Sequence, residues 1–284
     1  MDVAKTIESV RSSVAGARRE GGTVALVPTM GSLHAGHASL MTAAVRRCDY
    51  TVVSIFVNPT QFGPQEDMDD YPQPFESDCA LCHELGVDLV FAPTAQQMYG
   101  QASSTWVQVV GLTDVLCGRS RPDHFRGVTT VCTKLFNIVA PDVAFFGQKD
   151  AQQALVVKRM VQDLNMPLAI EVCPTIREPD GLAISSRNQY LDPEQRREAT
   201  RLYQTLQTCQ IQIAQGRRSA AALIASMRDE LQQIPRAKID YVSIVDSETL
   251  IPVEEVRGRL LIALAVQIGP ARLIDNILVD LGPS

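Results

Sequence analysis

The stretch Thr23-Val24-Ala25-Leu26-Val27-Pro28-Thr29-Met30-Gly31-Ser32-Leu33-His34-Ala35-Gly36-His37 decides the fold. Its first five residues are a short apolar run with the character of a buried strand. A glycine-framed turn follows. Leu40, Met41, Ala44, Val45 and Cys48 then recur at helical spacing. A buried strand, a glycine-rich turn and a helix in succession form the opening unit of a sheet with helical crossovers. In such sheets ligands bind outside the carboxyl ends of the strands, where helix N-termini present N–H groups and a partial positive charge.

The pattern repeats outward from this stretch. Upstream, residues 3–20 place Val3, Ile7, Val10, Val14 and Ala17 on one helical stripe, closed by Gly21-Gly22. Downstream, strands are expected over Thr51–Val57, Val87–Phe91, Val143–Phe146 and Leu168–Val172. Helices are expected over Phe75–Leu85, from Val128 to the stop at Pro141, and over 151–164. The stretch 94–125 is harder to read, with short strands expected around Trp106–Val110. Alternating strands and helices imply an α/β fold with a parallel sheet wound on both faces.

After Ile176 the pattern changes. One helix opens at Asp192-Pro193 and closes at Gly216, and a second runs from Ser219 to Pro235. Strands Ile239–Val245, Arg259–Ile268 and Ala271–Val279 follow, the last two joined at Gly269-Pro270. The expected division is therefore 1–176 and 177–284, the second part a smaller α+β domain.

Composition narrows the function. Apolar residues make up 45% of the 284 and charged residues 20%, an ordinary globular mix. A net charge of −6 argues against a nucleic-acid binder, which usually carries a basic excess. No secretory signal follows Met1, and no apolar run reaches bilayer-spanning length, so no membrane association is expected. Seven cysteines without a regular framework fit buried thiols in a reducing cytoplasm. Cys79-Ala80-Leu81-Cys82-His83 matches a haem-attachment pattern, but Phe75, Cys79, Cys82 and Leu85 share one apolar helical face. Core packing is the simpler reading.

Four segments carry chemistry. In the first, His34 and His37 stand three apart at a helix start, where both imidazoles can face one anion, and Gly31 and Gly36 permit close backbone approach. In the second, Val57-Asn58-Pro59-Thr60-Gln61-Phe62, Asn58 and Gln61 can donate to a carboxylate or hydroxyl without bringing a competing charge. In the third, Phe146 to Gln153, a capping box of Asp150 and Gln153 accounts for those two residues but not for Lys149. A cation at a helix N-terminus calls for an anion beside it. In the fourth, Gly181 to Asn188, hydroxyls and the Arg187 guanidinium suit a clamp on a polyphosphate. Arg121 and His124, in a weaker fifth stretch, are candidates to add positive charge.

With these residues in place, the sequence resembles the pantothenate synthetases (pantoate–β-alanine ligases), nucleotidyltransferases with an H-x-G-H element. The segments Pro28–Leu40, Ser54–Phe62, Arg121–Gly127, Phe145–Gln153 and Asp180–Leu191 carry the resemblance, together with Ala271-Arg272-Leu273-Ile274-Asp275-Asn276. It implies a Rossmann-like amino-terminal domain that binds ATP and pantoate, a smaller carboxy-terminal lid, a homodimer and a Mg²⁺ requirement. The implied reaction joins pantoate and ATP as pantoyl-adenylate with release of pyrophosphate. β-Alanine then displaces AMP to give pantothenate.

By position, the resemblance assigns ATP to Met30, Gly31, Ser32, Leu33, His34, Ala35, Gly36 and His37. It adds Gly147, Gln148, Lys149 and Asp150, then Ile176 and Ile184, Ser185, Ser186 and Arg187. Gln61 and Gln153 would hold pantoate, Gln61 also lying near β-alanine, and Asn58, Arg121 and His124 join them on the substrate side. His37 would be the acid that assists the leaving pyrophosphate, with His34, Lys149 and Arg187 stabilising charge. The chain departs from the family pattern at Gln148 and Ala151, where Glu and Tyr are expected, and at Cys117, where Glu is frequent.

Two other functions fit parts of the pattern. A related adenylyltransferase would need a second basic pocket for a phosphorylated acceptor and would have no use for paired amides. A nucleotide sensor would need the glycine turn but not His37, Lys149 and Arg187 together. Asp67, Asp69 and Asp70 in the acidic loop are candidates to touch Mg²⁺ or only water.

Overall fold

A computed structural model describes residues 1–63, 66, 68, 71–101 and 103–282. The chain divides into two compact units. The first comprises residues 1–114, 121–148 and 152–174; the second comprises 115–120, 149–151 and the chain from Thr175 onward.

The first unit is built on a parallel sheet of β1 (Asp2–Ala4), β2 (Val24–Thr29), β3 (Tyr50–Ile55), β4 (Leu89–Phe91), β5 (Val143–Gly147) and β6 (Ala169–Cys173). The strand order is β1-β4-β3-β2-β5-β6. β2 pairs with β3 on one side and β5 on the other, so the strand order reverses there, the place in such sheets where ligands bind outside the carboxyl ends of the strands. Helices α1 (Ile7–Arg19), α2 (Ala35–Arg47), α3 (Phe75–Glu84), α4 (Ala95–Tyr99), α6 (His124–Val139) and α7 (Ala151–Asp163) complete most of this part of the chain. Leu40, Met41 and Ala44 of α2 pack on Ala25, Val27, Val53, Val90, Val143 and Phe145 of the sheet. Fully burying one such side chain contributes about 1.5–3 kcal/mol.

The second unit includes α5 (Cys117–Ser120), α8 (Pro193–Ala214) and α9 (Ala220–Gln232). Its sheet is β7 (Lys238–Asp246), β8 (Arg259–Ile268) and β9 (Ala271–Asp280), antiparallel throughout. Leu202, Leu206, Leu223 and Met227 of the two longer helices share a core with Ile244, Ile262 and Leu264. Asp192 caps α8 through the amides of Glu194 and Gln195, with Pro193 at the first helical position.

Four expectations change. The stripe that begins at Val3 is interrupted: residues 2–4 pair with β4, and Thr6 caps α1 by accepting from Ser9 N. Val3 fits either pattern because i to i+4 spacing is also compatible with a short edge strand. No strand forms around Trp106–Val110. There Val107 N donates to Thr130 Oγ1 and Thr129 Oγ1 donates to Val107 O, so α6 side chains satisfy a backbone that would otherwise need a sheet. Asp150 is not an extended residue ahead of α7 but the last residue of a 3-10 turn over Gln148–Asp150 that leads straight into the helix. On α3 the buried face holds Asp78 and Cys82, whereas Phe75 is exposed.

All seven cysteines are free thiols. Cys82 lies 3.7 Å from Met41 Sδ, and burial pushes its thiol up to about 12. Among the described residues no helix is long and apolar enough to cross a membrane.

Candidate active site

The turn after β2 is held from inside. Asp78, 2% exposed, accepts from Ser32 N at 2.9 Å and from Leu33 N at 2.8 Å. Burial pushes this carboxyl above the ordinary aspartate range, although the two amides pull it down. His34 is the N-cap of α2, and its Nδ1 accepts from Gly36 N at 3.1 Å. His37 Nδ1 accepts from His34 N at 3.3 Å. Each neutral ring therefore carries its proton on Nε2. The two rings lie with centroids 4.1 Å apart. A Cβ on Gly36 would come within 2.9 Å of the His34 ring, so only glycine lets that imidazole fold back over the helix start. With Gly31 N donating to Thr29 Oγ1 at 3.2 Å, five amides of this loop are bonded within the protein.

A second cluster fixes Gln61. Asn58, 1% exposed, donates through Nδ2 to Gln61 Oε1 at 3.0 Å and to Gly127 O at 3.2 Å. Its Oδ1 accepts from Tyr99 OH at 2.6 Å and from Thr60 Oγ1 at 2.9 Å. Because Gln61 Oε1 receives an N–H, its Nε2 is the donor end; that atom lies 2.9 Å from Met30 Sδ. The Asn58 amide is fully engaged with the protein, so it acts on Gln61 rather than reaching beyond it.

Arg121 and His124 hold the same residue by its backbone. His124 Nδ1 donates to Gln61 O at 2.8 Å, which makes Nε2 the acceptor for Arg121 NH1 at 3.1 Å. Arg121 also makes a bidentate pair with Glu66, both bonds 2.6 Å. Burial pushes the Glu66 carboxyl up, but bonding to Arg121 and its charge outweigh this and leave it below the usual range. The positive charge expected here for a ligand is met by Glu66 instead. Asp67, Asp69 and Asp70 lie outside the described residues.

After β5, Gly147 and Gln148 are half-buried, and Gln153 is half-buried near the start of α7. Its neighbour Gln152 is buried and donates to Leu112 O at 2.8 Å. The adjacent glutamines therefore differ in role, the first holding a loop.

In the second unit Lys149 Nζ lies 3.7 Å from Asp150 Oδ2. The Lys149 carbonyl accepts from Asn276 Nδ2 at 2.9 Å. Residues 176–184 fold back as a short hairpin, in which Ile184 N donates to Ile176 O and Arg177 bridges Ala183. Ser185 then caps a 3-10 turn over Ser186–Tyr190 by accepting from Arg187 N at 3.3 Å. Arg177 anchors the hairpin through bonds of 2.7 and 2.9 Å to the two oxygens of Asp275.

The structure thus joins His34 to His37, and Asn58, Gln61, Arg121 and His124 to one another. It joins Lys149 to β9, and Ile176 to Ile184. Sequence reasoning did not single out Asp78, Glu66, Tyr99 or Arg177. Asp78 had one readable signal, a carboxylate four residues before Cys82 on a helix.

A family model described as pantoate-beta-alanine ligase matches residues 2–278. The chain is 55% identical over 280 residues to the pantothenate synthetase of Moorella thermoacetica, covering 99% of both. It is 51% identical over 280 residues to that of Acetivibrio thermocellus, covering 99% of this chain and 100% of the relative. The crystal structure of pantothenate synthetase from Thermus thermophilus is similar with a TM-score of 0.93 and 44% identity, covering 98% of this chain and 99% of that one. The pantoate-β-alanine ligase of Francisella tularensis, complexed with β-γ ATP and β-alanine, gives a TM-score of 0.80 and 33% identity over 100% of each chain.

Proposed function

The chain belongs to the pantoate–β-alanine ligase family, and we propose how its own residues divide the work of that ligation. The enzyme condenses pantoate with β-alanine at the expense of ATP. A pantoate carboxylate oxygen attacks the α-phosphorus, the bond to the β-phosphate oxygen breaks, and pyrophosphate leaves. The amine of β-alanine then attacks the acyl carbon, loses a proton, and expels AMP to give pantothenate.

The observation that carries the reading is the locked Gln61 amide. Asn58 holds its oxygen, so Gln61 presents N–H to the acid, a neutral donor that does not compete as a charge. Gln153 is the second amide for pantoate, and Asn58, Arg121 and His124 serve the substrate by fixing Gln61. His34 and His37 present Nε2–H to the phosphates, and His37 donates to the departing pyrophosphate. Lys149 and Arg187 stabilise the charge that builds on the phosphoryl oxygens, usually the largest catalytic contribution. The remaining ATP contacts fall to the Met30–Gly36 turn, to Gly147, Gln148 and Asp150, and to Ile176, Ile184, Ser185 and Ser186. The boundary expected near 176 is only part of the division, since Lys149 and Asp150 belong with the second unit, and the protein acts as a cytoplasmic homodimer.

A Mg²⁺ ion would be held chiefly by the triphosphate and water. Among the described residues no group of three carboxylate, His or Cys side chains could cage it, and Mg²⁺ commonly binds through substrate phosphates and water. It would neutralise phosphate charge there. Incubation with ATP, Mg²⁺, pantoate and β-alanine should yield pantothenate, AMP and pyrophosphate in equal amounts. Release of ADP and phosphate instead would reject the adenylate route.

A further inference from the structure

The segment Ala271–Asn276 is absorbed by neither substrate, yet it contains two polar residues buried side by side in a strand. Asp275 is 3% exposed and Asn276 6%. Both carboxylate oxygens of Asp275 are engaged: Oδ2 by Arg177 NH1, and Oδ1 by Arg177 NH2 and by Asn276 N at 2.7 Å. The Arg177 guanidinium stacks on Tyr203 of α8 at 3.7 Å, and its NH1 also donates to Gly181 O at 3.1 Å. A Cβ on Gly181 would fall 2.6 Å from Tyr203 Cδ1, so the hairpin turn is pressed against that ring. One guanidinium therefore ties the hairpin to both β9 and α8. The next residue of β9, Asn276, holds the carbonyl of Lys149, which is 127 positions away in sequence.

A buried ion pair is weak evidence for stability, since apolar residues of similar volume often serve as well. Its planar bidentate geometry does fix direction. Lysine needs such fixing, because its ammonium ends a flexible four-carbon stem. We propose that Asp275 and Asn276 are positioning residues for the first half-reaction. Asn276 fixes the backbone from which Lys149 extends, and Asp275, through Arg177, fixes the hairpin that delivers Ile184 to Arg187. β9 is thereby a common anchor for the two cation-bearing segments of this unit. The inference rests on the reading of Lys149 and Arg187 given above.

The half-reactions separate positioning from mere integrity. Pyrophosphate leaves only in the first, so loosening these segments should slow ATP–pyrophosphate exchange with pantoate. It should spare the attack of β-alanine on supplied pantoyl-adenylate. For Asn276→Ala we expect exchange to fall on the order of 10–100-fold, the scale of a misplacement of about 1 Å, with the second half-reaction within about twofold of wild type. Asp275→Asn keeps the side-chain shape and is judged by the same criteria. Wild-type protein without exchange would overturn the functional reading itself. Wild-type exchange with an unimpaired Asn276→Ala variant would overturn this inference alone. Equal loss in both half-reactions would also overturn it, by making the residues ordinary supports of the fold.

Discussion

In the first unit pairs of candidate site side chains orient one another over three residues, on a scaffold that also uses distant partners such as Asp78 and Gly127, whereas in the second the cation-bearing segments are tied to a strand about a hundred residues away. His34 and His37 are three residues apart and bond each other's helix start. Asn58 and Gln61 are likewise three apart and joined amide to amide. In the second unit, Arg177 reaches Asp275 across 98 positions and Lys149 reaches Asn276 across 127. The contrast follows the chemistry each has to supply. A neutral amide or imidazole can be oriented by one hydrogen-bond partner on the same turn. A flexible cation needs its backbone held, and a strand of a separate sheet provides a rigid place to hold it.

The comparison is broken most severely by removing the charged or hydrogen-bond-donating groups themselves. Lys149→Ala and His37→Ala should each lower turnover on the order of 10²–10³-fold while the circular dichroism spectrum stays native. Near-normal turnover of either folded variant would take that residue out of the mechanism.

A smaller effect is expected from the local anchor. Asn58→Ala would leave the buried carbonyl of Gly127 without its side-chain donor, at a cost of about 1–3 kcal/mol, and would let the Gln61 amide turn. Steady-state kinetics should show the pantoate requirement rising about tenfold, by the same principle, with the ATP requirement unchanged. Equal rises for both substrates would mean that Asn58 supports the whole unit rather than Gln61.

The smallest effect concerns pH. Glu66 is held below the usual glutamate value of about 4.3 by Arg121. Its contribution to stability is therefore complete above that value and is lost as pH falls through the lowered folded one. In thermal unfolding from pH 7 to pH 3, the gap between wild type and Glu66→Gln should close as the solution becomes acidic. A gap that widens toward pH 3 would reverse the assigned sign.

This division also explains what could be read in advance. The parallel sheet was legible because Thr23–Val27, Thr51–Val57 and Val143–Phe146 are apolar runs bounded by turns, and burial on both faces demands such runs. His34, His37, Asn58 and Gln61 were legible because their spacing is local. Asp78 was not, since helical periodicity marks apolar faces and this buried carboxylate lies among them to bind two amides of a distant turn. Arg177 was hidden for the same reason, because no local pattern says that its partner lies on β9. The strand expected near Trp106 was misread because Val107 finds its partners on threonine side chains of α6, a choice that strand propensity does not record.

The central claim is that the Gln61 amide, locked by Asn58, holds the acid together with Gln153 for attack on the α-phosphorus before any amine is required. Isotope exchange tests it directly. With ATP, Mg²⁺ and pantoate but no β-alanine, labelled pyrophosphate should enter ATP; omitting pantoate should abolish the exchange, and Gln153→Ala should raise the pantoate concentration it needs. Exchange that appears only after β-alanine is added would contradict the account, because acid and amine would then have to react in a single assembly and the glutamines could not act as described.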